Sequence, residues 1–468
     1  MRGLITGVAV VLGVGIAITA SSARAQTDAV TFTKDIAPIL QRSCQSCHRP
    51  DSVAPMSLLT YEEVRPFAMA MKQRTALRHR RGAMPPWFIE REIGIQRFKD
   101  DISLSDAEIA KIARWADAGA PRGNPADLPP ARVFADNADS ASWQIGTPDL
   151  IVTSPAIEMK AISPDYWGAL AAVPTGLSED RYVAAMEIKE VNDSRNKPGR
   201  ATVGGLFVFH HATVNVSGGG AWPVHEVGRN ADIFDTKAGK LLRAGSTISF
   251  PSVHLHANGK DTTANLRVGF KFHPVGYKPQ IQSTLITIGT DDLDIPGGAS
   301  GISQSAYMTL SQPTKLTVFE PHMHATGVRM CLEAIYGSQV ETLNCSGYDH
   351  NWVKTYAYEE DAAPLLPRGT ILKVTGYFDN TAANKNVVDP RNWSGLGHRS
   401  IDNMLVMIAQ GVNLSEEQFA QEVATRRTAL NLAEGQSTLG CPLCAFSRIP
   451  GRPPLPIAPA AGPAVRQQ

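Results

Sequence analysis

The spacing of apolar residues changes once along this chain of 468 residues, and that change most restricts the fold. Before a stretch rich in proline, glycine and acidic or amide residues at Pro121 to Pro130, apolar residues recur at helical spacing. After it, they form short runs rich in valine, isoleucine, phenylalanine and threonine, separated by turn residues. The pattern predicts a small helical domain, a linker and a β-rich body built of sandwiches.

The first 25 residues have the layout of a secretory signal peptide. Arg2 supplies a positive start, an apolar run extends from Leu4 to Ala20, and Ala23-Arg24-Ala25 has the small-x-small form of a cleavage site. The run approaches the length that spans a membrane, so a retained anchor is the alternative. We expect cleavage after residue 25, a periplasmic or secreted protein, and no transmembrane segment in the mature chain.

The helical domain is predicted at residues 26–122 and the linker at residues 123–148.

The formal net charge is +1, so the chain has no polyanion-binding character and nucleic-acid binding is not expected. Hydrophobic residues make up 43% and charged residues 19%, as in ordinary globular proteins.

A Cys-x-x-Cys-His motif lies in the helical region, at Cys44, Cys47 and His48. This is the attachment motif of c-type haem, in which two thiols bind the porphyrin and the adjacent histidine ligates the iron. A disulfide or a thioredoxin-type dithiol is the alternative, but the histidine and the absence of a surrounding βαβ pattern favour haem. We therefore expect one covalently bound haem c.

The other axial ligand of that haem is expected from a later loop. Met84 is followed by Pro85 and Pro86, which bar helix and hold the thioether in a stiff loop. Met56 and His79 are competing candidates. The motif, this Met-Pro-Pro loop and the last helix of the region resemble bacterial mono-haem cytochrome c domains.

Three groups of histidines lie in the β-rich region. His322 and His324 are two residues apart, so on a strand both rings project from one face and can chelate a metal. His210 and His211 are adjacent, so they can share a metal only at a bend or a strand end. The third group is His254-Leu255-His256. Any one of these groups alone could equally consist of core histidines.

The remaining four cysteines fall into two pairs, and an even cysteine count after a signal peptide favours an oxidising compartment. Cys331 and Cys345 flank a predicted hairpin and could pair across it. Cys441 and Cys444 lack a following histidine, so a disulfide is favoured over a second haem. A last helix, capped by Ser415, is expected before this second pair.

Together the histidine groups resemble those of the copper type II, ascorbate-dependent monooxygenases. That family includes peptidylglycine α-hydroxylating monooxygenase, dopamine β-monooxygenase and bacterial relatives, and the resemblance extends over roughly residues 150–425. Its first copper is bound by adjacent histidines and by a third histidine in a Val-His segment, which correspond to His210, His211 and His254. His256 is the alternative to His254, because it lies on the same strand face.

The second copper of the family is bound by a His-x-His pair and a later methionine, which correspond to His322, His324 and Met404. Asn403 stands where the family often has glutamate, which is a departure from the pattern. The stretch from Tyr348 to Trp352 looks like a landmark of the bacterial members.

The resemblance implies two β-sandwich copper domains of jelly-roll type, at residues 149–295 and 296–432, followed by a tail at 433–468. The expected fold class is therefore multidomain, with a small all-α cytochrome c domain ahead of these two β-sandwich domains. The histidines that match no ligand position are expected to have structural or supporting roles: His225, His273, His350 and His398.

The implied function is a periplasmic monooxygenase that hydroxylates an organic C–H bond with O₂ and carries two copper ions and one haem c. A thioether stabilises cuprous copper, so the set containing Met404 is expected to meet O₂ and the set containing His210 to relay electrons. Electrons are expected from ascorbate or a periplasmic redox protein, through the haem, and the substrate is expected to be small and organic or peptide-like.

The alternative function is a non-catalytic haem and copper electron-transfer protein, or a copper-binding protein. A complete set of imidazoles with a thioether favours the enzyme, because an electron carrier would not need an O₂-type site. A hydrolytic zinc enzyme is disfavoured, because Met404 is a poor zinc ligand.

Overall fold

The computed structural model describes residues 29–50, 54–134, 143–194, 197, 207–229, 231–399 and 401–450. The expected signal peptide, part of the expected linker and the end of the tail lie outside these ranges. Within them, no helix is both long and apolar enough to cross a membrane.

Helices are few and short. They are α1 (Ala37–Ser43), α2 (Tyr61–Val64), α3 (Ala68–Thr75), α4 (Asp106–Asp117) and α5 (Glu416–Ala429), with single turns at Phe32–Ile36, Arg65–Phe67 and Pro125–Asp127. Thr60, Ser105 and Ser415 begin α2, α4 and α5 with capping boxes, in which the hydroxyl accepts a backbone N–H and a glutamate or glutamine returns the bond.

Strands account for far more of the described chain than helices do. The first eleven are β1 (Ile89–Gly94), β2 (Leu150–Thr153), β3 (Ile157–Met159), β4 (Tyr166–Pro174), β5 (Arg181–Asn192), β6 (Phe209–Val216), β7 (Gly220–Glu226), β8 (Asp232–Ile233), β9 (Lys240–Leu242), β10 (Thr247–Leu255) and β11 (Thr262–Phe272). The others are β12 (Gln282–Gly289), β13 (Asp294–Ile295), β14 (Ser300–Thr309), β15 (Thr314–Met323), β16 (Gly327–Tyr336), β17 (Gln339–Gly347), β18 (Tyr356–Ala357), β19 (Leu365–Leu366), β20 (Ile371–Asp379), β21 (Ser394–Gly395) and β22 (Leu405–Asn413).

Two antiparallel sheets from the first half of the chain share one core, and we call them the first sheet pair. Their strand orders are β4-β10-β6-β7 and β2-β11-β5-β8, with β3 beside β11 and β9 beside β5. Buried residues alternate along most of β6 and β11, as expected for a sheet covered on one side. The largest fully buried side chains in this core are Phe209, Trp222, Phe250 and Phe270.

Two further sheets form the second sheet pair. Their orders are β1-β17-β16-β20-β14 and β12-β22-β15-β18, with β19 beside β15. A disulfide joins Cys331 of β16 to Cys345 of β17, which are directly paired residues of the hairpin. A second disulfide joins Cys441 to Cys444, against which α5 packs through Phe419.

The expected fold class is wrong at the N-terminal end, because residues 26–122 do not form a small all-α cytochrome c domain. Strand β1 lies within this helical segment and adds to the edge of the second sheet pair, with Ile89 opposite Ser346. Trp87 and Phe98, on either side of β1, pack in the same core as the second pair. The segment therefore shares a sheet and a core with strands more than two hundred residues away.

Candidate metal centre

Three histidines from adjacent strands of the first sheet pair converge on one point. One ligand nitrogen from each of His210, His211 and His254 lies within 4.8 Å of the others. His210 and His211 belong to β6, and His254 belongs to its neighbour β10. Three imidazoles at this separation can bind a single metal ion.

A bulge in β6 explains how two adjacent histidines reach the same point. The ladder between β10 and β6 pairs His254 with His211 and Leu255 with Phe209, so His210 has no opposite residue. An extra residue of this kind bends a strand and re-aims its side chains. The bend that the sequence requires for a shared metal is therefore present at His210.

Neighbouring groups fix two of these rings. Trp167 of β4 stacks on His254 with ring centroids 3.6 Å apart, and Asp165 Oδ2 lies 2.9 Å from His254 Nε2. His210 Nε2 lies 3.1 Å from the carbonyl oxygen of His350, and its buried Nδ1 has no hydrogen-bond partner. Metal-binding histidines are commonly held in this way, with one nitrogen on an oxygen and the other left for the ion.

The second histidine pair lies at the end of β15, beside the first group. The ring centroids of His322 and His324 are 5.5 Å apart, and those of His211 and His322 are 6.4 Å apart. His322 Nδ1 lies 2.6 Å from Oε1 of Glu226, a buried residue of β7. The two predicted ligand sets thus adjoin each other where the first and second sheet pairs meet.

Met404 directly precedes β22. The ladder of β15 and β22 ends with Met323 opposite Leu405, so Met404 and His324 each lie one residue beyond this last pair. Asn403 is fully buried, and its side chain binds the Thr326 hydroxyl and donates to the Ser394 carbonyl at 2.9 Å. Asn403 therefore anchors the chain immediately before Met404.

Electrostatics keep most of these imidazoles neutral. Burial and then the neighbouring His322 and His254 lower the pKa of His211 to about 2. Burial, His322 and His254 likewise lower the pKa of His350 to about 3. Burial would also lower the pKa of His322, but the Glu226 carboxylate raises it above its ordinary value. Neutral imidazole is the form that binds metal.

His350, expected to have a structural or supporting role, lies between the two predicted ligand sets. Its ring centroid lies 4.4 Å from that of His210 and 5.6 Å from that of His324. The only hint in the sequence was its place in the stretch from Tyr348 to Trp352. His256, the alternative to His254, has its ring 5.9 Å from His210 but is not part of the convergent trio.

The remaining histidines have other surroundings. His273 stacks on Tyr277 at 3.8 Å, and His398 is exposed. His225 is buried beside Phe209, at 6.5 Å between ring centroids. Glu226 was missed, because a single glutamate in a strand carries no recognisable pattern.

The Cys-x-x-Cys-His motif follows directly after α1. Cys44 and Cys47 are not in a disulfide, and the backbone N–H of His48 donates to the carbonyl of Cys44 at 2.9 Å. His48 Nδ1 lies 3.3 Å from the carbonyl oxygen of Met56. Two thiols without a disulfide and a histidine with one nitrogen held by a carbonyl fit the donor set of a c-type haem.

Met84 and His48 have different surroundings. Met84 is 42% exposed and lines a cavity of about 640 Å³ with His79, Trp87 and Arg42. The residues that line this cavity do not include His48. The assignment of Met84 as the second iron ligand stays a prediction.

The loop before Met84 docks beside the histidines. The backbone N–H of Gly82 donates to Asp349 Oδ2 at 3.1 Å, next to His350. Arg81 donates to Asn384 Oδ1 at 2.9 Å, and Asn384 donates to the carbonyl of Ala325 at 2.9 Å, next to His324. The helical segment thus contacts the chain on either side of the site.

Comparison with known proteins assigns no family. No protein-family model and no curated protein matches the chain. Three solved structures align with it at 9% identity: the STIV MCP (TM-score 0.19, 48% of this chain and 99% of that one), PBCV-1 VP54 fitted into a reconstruction of the virophage Sputnik (0.22, 56% and 93%), and infectious bursal disease virus Gx strain (0.16, 60% and 77%). Similarity at such TM-scores carries no argument about fold or function.

Proposed function

We propose that this protein is a copper-dependent monooxygenase that hydroxylates an organic C–H bond with O₂. The observation that carries the proposal is the convergence of His210, His211 and His254 within 4.8 Å, beside the His322 and His324 pair. Five neutral or carboxylate-held imidazoles with a nearby thioether suit copper, which accepts both nitrogen and soft sulfur ligands.

In this proposal, His210, His211 and His254 hold one copper ion, and His322, His324 and Met404 hold a second. Copper bound by these ligands would supply one-electron redox chemistry, with the thioether favouring the cuprous state. Met404 argues against zinc, which prefers nitrogen, oxygen and thiolate ligands.

The surrounding residues orient the ligands. Trp167 covers one face of the His254 ring, and Glu226 holds His322 by its Nδ1, so Nε2 of His322 is the nitrogen offered to a metal. His254 and His324 are each only 1% exposed, so bulk water is largely excluded from their rings. A dry site protects reactive species from unproductive proton transfer.

The proposal includes one haem c, which would be attached through Cys44 and Cys47 and held by His48. A haem held there would supply single electrons from ascorbate or a periplasmic redox protein. Met84 remains a prediction for the other axial position. The proposed substrate is a small organic or peptide-like molecule, and the proposed compartment is the periplasm or the exterior.

Metal analysis and oxygen uptake test the proposal together. We expect two coppers and one iron per purified chain, and ¹⁸O from ¹⁸O₂ in the product when ascorbate is the reductant. A glycine-extended peptide is a suitable first probe for a peptide-like substrate, and a phenylethylamine is a suitable first probe for a small organic substrate. Protein that binds copper and exchanges electrons, but consumes no O₂ with any probe, would instead be an electron-transfer protein. Protein that binds no copper would end both interpretations.

A further inference from the structure

His350 occupies the junction between the two proposed copper ligand sets. Its ring lies 4.4 Å from that of His210, in the first set, and 5.6 Å from that of His324, in the second. These are centroid separations typical of imidazoles that share a metal, given metal–nitrogen distances of about 2.0 Å. His350 thus contacts both sets at once.

The state of the His350 ring is unusual for a core histidine. The residue is only 6% exposed, and neither ring nitrogen has a hydrogen-bond partner of acceptable geometry. Buried polar atoms are normally satisfied, and a histidine that only fills space would be expected to bond through at least one nitrogen. Two unsatisfied nitrogens among other imidazoles indicate that the His350 ring can bind a metal ion through either nitrogen.

The loop that carries His350 is held firmly in place. Tyr348 donates its hydroxyl proton to the carbonyl of Met323, and Asp349 accepts from the backbone N–H groups of Gly82 and Asn351, both at 3.1 Å. The N–H of Val353 donates to the carbonyl of Val227 at 2.9 Å, which ties the loop to the first sheet pair. The position of the His350 ring is therefore set by contacts to both sheet pairs and to the helical segment.

We propose that His350 is a further copper ligand, which joins the His210, His211 and His254 set to the His322, His324 and Met404 set in one continuous centre. This inference rests on the proposed copper sites and adds a ligand to them. The His210 ring already contacts the His350 backbone through Nε2, so the two residues are coupled by two separate contacts.

Copper binding by His350→Gln and His350→Ala tests the inference. Cuprous affinity would be measured against a chromogenic chelator, and the cupric ion would be examined by electron paramagnetic resonance. His225→Gln is the matched control, because His225 is equally buried at 6% exposure but its ring lies beside that of Phe209 and not beside the proposed ligands. We expect both His350 variants to bind at least one copper about tenfold more weakly, by analogy with the loss of supporting residues at metal sites.

The spectrum gives an independent readout. We expect the g values and copper hyperfine couplings of the cupric ion to change in both His350 variants and to stay at their wild-type values in the control. Added imidazole should restore the wild-type spectrum in His350→Ala. Pulsed electron paramagnetic resonance can be applied to the wild type alone. It should detect six coordinated imidazoles per two coppers, namely the five of the two sets and that of His350. Wild-type affinity and spectrum in a folded His350 variant, or a count of five, would overturn the inference while leaving the two-copper function intact. Absence of copper from the wild type would remove both.

Discussion

Met404 is the residue whose chemistry separates a copper centre from a zinc centre here. It directly precedes Leu405, which pairs with Met323 beside His324, and the buried Asn403 next to it is held by Thr326 and by the Ser394 carbonyl. A thioether adds little to zinc binding, but it stabilises cuprous copper against oxidation. Its contribution can therefore be measured apart from that of the histidines.

Replacing Met404 with leucine should reduce oxygen uptake by at least about tenfold, because the leucine side chain is similar in size but cannot bind copper. The absorbance of the haem should not change. Met407→Leu is the control, since Met407 lies in β22, which begins directly after Met404, and is fully buried in the core. Oxygen uptake at the wild-type rate in the Met404 variant would remove this residue from the site.

Glu190 belongs to β5, and its carboxylate accepts the N–H groups of Val208 and Phe209, at the start of the bulged strand β6, at 2.8–3.1 Å. Burial raises the pKa of Glu190 from 4.5 to about 7, against the opposing effect of these bonds. In the unfolded chain the pKa returns to its ordinary value. Between these two values the folded protein holds a proton that the unfolded chain has lost, so stability falls as the pH rises.

Glu190→Gln should remove that part of the pH dependence, because glutamine does not ionise. We expect the free energy of unfolding of the metal-free wild type to fall relative to the variant between pH 4.5 and pH 7.5, by on the order of 1–3 kcal/mol. Urea unfolding at both pH values measures the difference. Parallel pH profiles for the two proteins would contradict the assignment.

Among the elements, those specified by local patterns were predictable and those specified by distant pairing were not. Ser415 was expected to cap a final helix, and it begins α5 through a capping box with Gln418. Strand β1 was not expected, because six residues with no clear alternation carry little information and their partner in β17 is far along the chain. The same limit explains why His350 was not placed with His210: their proximity depends on how the two sheet pairs meet.

Trp87 tests whether the helical segment is part of the second sheet pair. Its ring packs edge-on against Tyr356 with centroids 5.1 Å apart, and it is 6% exposed. Trp87→Ala should therefore destabilise the sheet pair itself, by about 3–5 kcal/mol. Hydrogen exchange in β17 should accelerate, whereas Trp393→Ala, at a residue 66% exposed, should leave it unchanged. Unchanged β17 exchange in the Trp87 variant would instead indicate an independent domain.

At the scale of the whole molecule, buried charges join the two sheet pairs. Arg229 follows β7 and binds Asp232 of the first pair and Glu320 of the second, the latter at 2.9 Å. All three side chains are at most 5% exposed, and Gln410 of β22 also donates to Asp232. Glu226 of the first sheet pair also contacts His322 of the second, so this network of buried ion pairs lies beside the proposed metal centre.

Arg229→Met should destabilise the protein by about 3–5 kcal/mol, because it leaves two buried carboxylates without a cation. Urea unfolding of the metal-free protein measures this loss. Arg391→Met removes an ion pair with Asp389 at a side chain that is 87% exposed, so that variant should unfold like the wild type. Equal stability of the two variants would show that the buried network does not hold the sheet pairs together.

The extra residue at His210 also limits how this protein can be engineered. Deleting one residue between Val208 and Ala212 would close the ladder and remove the bend that brings His210 and His211 to one point. Inserting one would shift the register of the strand by one residue and turn its side chains to the other face. A directed-evolution library aimed at new substrates should therefore vary the composition of this stretch and keep its length constant.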